Sequence, residues 1–195
     1  DDVESRGLGD VYKRQVYSAV LWDNKLFIGT NQGVFYITTE GLNKPNALSD
    51  MKLIDGTQGQ VWALKVVDGV LYCCHNKGLK EIHKNLSVTD AFAIGTGVYN
   101  LSEAKVRDHD LLVLSTYSSI RIVDKKTNRV FTPGQISEPI INAEFDHLGN
   151  IWLEHFNRGV YRCKLDDNFS GFRSFSYYGG NKDGLPYKLK MFKVG

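Results

Sequence analysis

The sequence predicts an all-β fold built from four-stranded antiparallel meanders, and three observations carry that prediction. One phrase (apolar strand, polar turn, second strand, short loop ending in Gly or Ser, third strand) occurs four times, at Val20–Ile37, Leu64–Ile82, Ala104–Val123 and Ala143–Leu165. The loop residues Gly33, Gly78, Ser119 and Gly159 lie 45, 41 and 40 residues apart, and a period near 40 to 45 made of short strands is the spacing of β-propeller blades. Ten Tyr and ten Phe accompany many Val, Ile and Leu residues, a composition that suits pleated, packed strands, while no useful length of chain repeats at the helical period.

In the first copy Val20–Trp22 reads as the inner strand, Asp23-Asn24 as its turn, Leu26–Thr30 as the second strand, Asn31-Gln32-Gly33 as the loop and Val34–Ile37 as the third strand. The turn recurs as Asp68-Gly69, Asp108-His109 and Leu148-Gly149-Asn150, residue types that accept positive φ or bond their own backbone in tight hairpins. A fourth, outer strand is expected in each linking stretch, at Lys52–Ile54, Ala91–Ile94, Arg129–Thr132 and Arg173–Tyr177. The repeats then run near 16–59, 60–96, 97–138 and 139–186, giving a β-propeller fragment of about four blades. Period-2 alternation is weak in the inner strands, as expected for sheets covered on both faces. A blade cannot bury both faces alone. Faces of an open ring left in water predict poor solubility.

Both ends read as foreign or cut. Ser5–Gln15 (SRGLGDVYKRQ) matches, residue for residue, the translation of a sequencing-library transposon adapter, so residues 1–15 are set aside as non-native and the fold is read over 16–195. Tyr187–Gly195 reads as the start of a fifth copy, because Gly195 falls 46 residues after Gly149. The chain is therefore expected to be an internal slice of a longer gene.

Charge excludes some partners. The formal net charge is +2, and no run of basic residues concentrates it, so neither a nucleic-acid nor a direct membrane partner is expected. Three cysteines argue against a disulfide framework: Cys73 and Cys74 are strand neighbours whose side chains point to opposite faces, and Cys163 sits in another repeat. They read as small buried apolar residues.

The phrases Leu26-Phe27-Ile28-Gly29-Thr30-Asn31-Gln32-Gly33-Val34-Phe35 and Gly149-Asn150-Ile151-Trp152-Leu153 with Arg158-Gly159-Val160-Tyr161, together with Gly184-Leu185-Pro186, resemble the two-component regulator propeller repeat. The second, third and fourth copies depart from its Gly-Thr step, reading Cys74-His75, Ser115-Thr116 and Glu154-His155. The resemblance implies the periplasmic sensor region of a Bacteroides-type hybrid histidine kinase: two seven-bladed propellers, an immunoglobulin-like domain, one membrane span and a kinase, in a homodimeric parent. It also implies a response to polysaccharide-derived oligosaccharides.

Chemistry-bearing motifs are sparse. His75, His83, His109, His147 and His155 show no metal-ligand spacing, so no metal or cofactor is expected; His75 and His155 occupy matching positions at the second loop and read as solvated or locally bonded. Asp166-Asp167-Asn168 lacks the Gly and distal Glu of a calcium loop. No catalytic residue is indicated. The candidate ligand-binding residues are those of the second-to-third-strand loops, which a propeller brings to one rim: Asn31, Gln32, Asn76, Lys77, Tyr117, Phe156, Asn157 and Arg158. Amides, a guanidinium and aromatic faces suit sugar hydroxyls and ring carbons. Trp22, Trp62 and Trp152 read as wedge fillers between blades. Two other functions stay open: a scaffold for protein interaction, and a propeller lyase or hydrolase, which needs a His/Glu/Arg cluster.

Overall fold

The computed structural model describes residues 15–180 and 189–191. The proposed adapter before Gln15, the Gly184-Leu185-Pro186 motif and most of the proposed fifth copy lie outside the described residues. The chain divides into two compact units between Ala91 and Phe92. The first holds β1 (Val16–Trp22), β2 (Lys25–Thr30), β3 (Gly33–Thr38) and β4 (Lys52–Leu53), then β5 (Val61–Val67), β6 (Val70–His75), β7 (Gly78–Ile82) and β8 (Val88–Asp90). The second holds β9 (Val98–Val106), β10 (His109–Thr116), β11 (Ser119–Asp124) and β12 (Val130–Phe131), then β13 (Ile140–Phe145), β14 (Ile151–His155), β15 (Val160–Leu165) and β16 (Phe172–Tyr178). Each set of four is one antiparallel sheet in sequential order. These are four propeller blades.

Burial explains why the blades come in contact. In β10 every residue from Leu111 to Thr116 is buried, so both faces of this middle strand are covered. The face that carries Leu111 and Val113 is covered by the neighbouring sheet of the same unit: these residues, with Ile120 and Ile122, share one core with Ile140, Ala143, Ile151, Leu153 and Cys163. In the first unit Phe27 and Val34 share a core with Val61, Leu64, Leu71 and Cys73. Each such Leu, Ile or Phe contributes about 1.5–3 kcal/mol by leaving water. Gly29 permits that approach, since a Cβ there would lie 2.7 Å from Val61 Cγ1. The three cysteines are free and buried as expected, and burial pushes the Cys73 and Cys163 thiols up to about 12.

The first strands differ from the expectation. Exposure alternates along β1 and along the second half of β9, because only one face of each packs on the next sheet of its unit, through Val20 and Trp22 in β1 and Ala104 and Val106 in β9. The third hairpin turn and the second outer strand lie elsewhere than expected. The third hairpin turns at Arg107-Asp108, with Arg107 at φ 55°, and His109 pairs with Val106 as the first residue of β10. Its ring is held there by Asp124 at 2.6 Å. The second outer strand is Val88–Asp90 rather than Ala91–Ile94, because a short turn closed by His83 N–H to Ser87 O (2.9 Å) and Leu86 N–H to His83 O (2.8 Å) sets Val88 beside Ile82.

The repeated Gly or Ser has a physical origin. Gly33, Gly78 and Ser119 open the third strand at φ 138°, 134° and 129°, a region L side chains avoid. Gly159 meets a different constraint: a Cβ there would collide with the backbone carbonyl of Tyr178. Ser119 therefore holds a strained backbone, and its buried hydroxyl finds no partner among the described residues. Ser119→Gly is expected to stabilise the chain by about 1 kcal/mol, given a strain of order 1–3 kcal/mol offset by glycine's entropy. A urea-denaturation midpoint checks this; a lower midpoint than the parent chain contradicts it.

Candidate functional site

The end of each second strand is built the same way. Thr30 Oγ1 accepts Gln32 N–H (3.0 Å) and donates to Gly33 O (2.9 Å); Thr116 Oγ1 accepts Ser118 N–H (3.3 Å) and donates to Ser119 O (2.9 Å). His75 and His155 take over this capping: His75 Nδ1 accepts Lys77 N–H at 3.1 Å, and His155 Nδ1 accepts the N–H groups of Asn157 and Arg158 at 3.2 Å each. The two histidines are locally bonded as expected, yet they are buried rather than solvated. Burial, aided by Lys80 and Lys77, lowers the pKa of His75. Burial, with Arg158, also lowers that of His155 against the opposing pull of Glu138. Both caps thus need the neutral, Nε2-protonated ring.

Opposite each cap the first strand bulges. Val16, Val61, Val98 and Ile140 pair with Thr30, His75, Thr116 and His155, and the next residue is skipped in every register. The skipped residues are Tyr17, Trp62, Tyr99 and Ile141, so three of four bulges carry an aromatic ring. A bulge redirects a side chain, and here it sends rings to the loop end of the blade. In the first unit Tyr17 meets Trp62 edge-on at 5.4 Å. In the second unit Tyr99 lies 4.5 Å from Tyr117 and 6.2 Å from Phe156, nearly parallel to the latter at 25°. Phe156 is half exposed and Tyr17 41% exposed, which leaves ring faces open to solvent.

The loop residues named from the sequence sort by unit. In the second unit Tyr117 and Phe156 meet through Tyr99, with Asn157 and Arg158 exposed beside them. Arg158 is tied to Glu138 at 3.2 Å. In the first unit Gly59 stands between the two loops: its N–H donates to Gln32 O at 3.3 Å, and a Cβ on it would lie 2.7 Å from Asn76 Oδ1. Asn31 is held by a reciprocal bond with Gln15, and Lys77 is exposed. Tyr17 and Tyr99 were not legible as site residues. Trp62 is half-buried and meets Tyr17 of the neighbouring sheet. Trp22 packs against the core shared by those two sheets, while Trp152 donates to Asp146 at 2.9 Å and stacks on Tyr178.

A His/Glu/Arg cluster does form. Glu138 receives Tyr161 OH at 2.8 Å, Arg158 at 3.2 Å and His155 Nε2 at 3.3 Å; burial first, and this carboxylate second, push the Tyr161 phenol up to about 12. Both nitrogens of His155 are therefore engaged, one by the loop and one by Glu138. In this arrangement the ring has no position from which to accept a substrate proton. Among the described residues no group of three or more His, Cys, Asp or Glu is placed to hold a metal. Asp166 instead folds its own turn, accepting from Asn168 and Ser170 N–H and from the Ser170 hydroxyl.

No family model matches the sequence. No curated protein matches it either. Solved structures do match in fold. The extracellular domain of the hybrid two-component system BT3049 from B. thetaiotaomicron aligns with 85% of the chain at TM-score 0.62 and 16% identity, and that of BT4673 from the same organism with 90% at 0.64 and 12%. The chain spans about a quarter of the length of each, 24% and 23%. The Dos1 propeller aligns with 85% of the chain and 48% of its own length, at TM-score 0.57 and 10% identity. The likeness is one of fold alone.

Because both capping histidines have lowered pKa values, the unfolded chain binds more protons near pH 6, and stability falls as pH drops through the ordinary histidine range of about 6.5. Asp124 and Asp146 do not enter that window. Hydrogen bonds, the one from His109 foremost, hold the Asp124 carboxyl at about 2. At Asp146 burial pulls upward, but bonds from Asn150, Trp152 and Leu148 outweigh it and again give about 2. The double variant His75→Thr/His155→Thr keeps a capping acceptor and removes the titration. Urea midpoints between pH 7.5 and 5.5 are expected to fall in the parent chain and to stay nearly flat in the variant; equal slopes contradict this assignment.

Proposed function

We propose that the chain is a ligand-sensing segment of an extracytoplasmic propeller in a two-component regulatory sensor, responding to oligosaccharides released from polysaccharides. The observation that carries the reading is the bulge-borne aromatic platform. Tyr99, Tyr117 and Phe156 gather at the loop end of the second unit, and Tyr17 and Trp62 gather at the loop end of the first. Open ring faces take the C–H faces of sugars, and the flanking Asn157 and Arg158, with Asn31, Gln32, Asn76 and Lys77 in the first unit, supply donors and acceptors for hydroxyls. The fold likeness to sensor domains supports the same reading.

The role is non-enzymatic in this account, since His155 is spent on structure. Signal then arises from binding and its effect on the blades and output domains of a membrane-anchored, homodimeric parent, with the chain on the periplasmic side. Isothermal titration against a panel of plant and host oligosaccharides tests the proposal. Binding of at least one is expected, weakened roughly 2- to 10-fold by Phe156→Ala or Tyr99→Ala, as the loss of one stacked ring worth about 0.5–1.5 kcal/mol requires. Binding that ignores both substitutions removes the platform from the account, and failure of the whole panel removes the oligosaccharide.

A further inference from the structure

The outer strands of the four blades are not alike. β4, β8 and β12 hold two, three and two residues, too few to offer a ladder to another chain, and a short outer strand is one way a sheet protects its edge. β16 runs for seven residues, Phe172–Tyr178. Its inner side pairs with β15, and among the described residues no strand pairs with its outer side. The first part of that edge is closed. Gly134 N–H donates to Ser170 O at 3.0 Å, Gln135 Oε1 accepts Phe172 N–H at 2.9 Å, and Arg173 is skipped in the pairing as a bulge. From Ser174 to Tyr178 the pairing with Lys164 to Val160 then runs unbroken. Ser174, Phe175 and Ser176 are exposed, Phe175 to 53%. In an antiparallel ladder alternate residues turn N–H and C=O away from the partner strand, so this run has backbone groups to offer.

The residues of the run point to the occupant. Ser174-Phe175-Ser176-Tyr177-Tyr178 contains no charge and no proline. Laid antiparallel on a second copy of itself about Ser176, the whole run is used. Phe175 then lies opposite Tyr177 of the other copy, twice over, on one face; on the other face Ser176 meets its own counterpart and Ser174 meets Tyr178, hydroxyl to hydroxyl. Ring pairs and hydroxyl pairs are favourable cross-strand neighbours, and no like charges fall opposite one another. Arg173, the nearest charge, is tied to Asp167 and lies outside the run. A formal net charge of +2 leaves little repulsion between two copies.

We propose that the outer edge of β16 is a docking site for a second copy of this chain, which pairs with it antiparallel about Ser176 and joins two four-stranded blades into one continuous sheet. The contact is isologous, one surface meeting itself across a two-fold axis. It does not depend on the ligand reading, because none of these residues belongs to the aromatic platform.

Sedimentation equilibrium of the 195-residue chain across the micromolar range is expected to show a monomer–dimer equilibrium. Phe175→Lys, which removes both ring pairs and places a charge on the edge, is expected to weaken it about 5-fold or more, with an unchanged far-ultraviolet circular dichroism spectrum showing that the variant folds. Ser176→Cys tests the register with almost no change of volume. Two copies of residue 176 stand about 5 Å apart between Cα atoms, within the reach of a disulfide, whereas two copies of residue 174 stand about 13 Å apart along the ladder. Ser176→Cys is therefore expected to form a disulfide-linked dimer at least about 10-fold faster than Ser174→Cys under the same oxidant. A parent chain that stays monomeric, a dimer indifferent to Phe175→Lys, or equal cross-linking of the two cysteine variants overturns the proposal.

Discussion

The structure depends on one constraint: a meander whose middle strands are apolar on both faces cannot stay folded unless a second sheet covers it. β10 shows this most plainly, with Leu111 through Thr116 buried without a break, and β14 buries four of its five residues. A strand of that kind has no solvent side to present, so blades must be made in contact. The hydrophobic effect is non-directional. What turns it into a definite arrangement is close approach, visible at Gly29, where any side chain would strike Val61.

Ligand contact is then confined to strand ends. Within a blade the faces are spent on packing and the paired edges on hydrogen bonds, which leaves turns and loops to carry chemistry. The two ends of the second unit use this freedom differently. One gathers rings by bringing bulged Tyr99 to the loop residues Tyr117 and Phe156. The other gathers charge through the Asp124 turn and the hairpins around it. Both devices spare the body of the ladder: each bulge leaves one residue unpaired and shifts the register only at the strand end, and the aspartate that closes a turn bonds backbone outside the strands.

Much of this was legible in the sequence, and the limit is physical. The four repeats, the antiparallel order and the turns at Asp23-Asn24 and Asp68-Gly69 follow from residues with strong local preferences, and the positive φ angles at those turns bear them out. The bulges were not legible, because a skipped register is a property of two paired strands and neither Tyr17 nor Tyr99 announces it alone. The histidine caps were hidden by a chemical substitution: an imidazole nitrogen does the work of a threonine oxygen, so His75 and His155 looked like departures from a pattern they preserve. The second outer strand slipped because the turn at residues 83–87 lacks glycine and proline, and places Leu86 at φ 68° instead.

Amide hydrogen exchange, read segment by segment by mass spectrometry, tests the central claim that double-faced burial of the middle strands holds each blade. The account predicts the slowest exchange in 111–116 and in 71–75, with 120–124 close behind, and the fastest in the short outer strands at 52–53 and 130–131. Exchange in 111–116 as fast as in those outer strands would contradict it, and the blades would then be held by something other than the mutual cover of their inner faces.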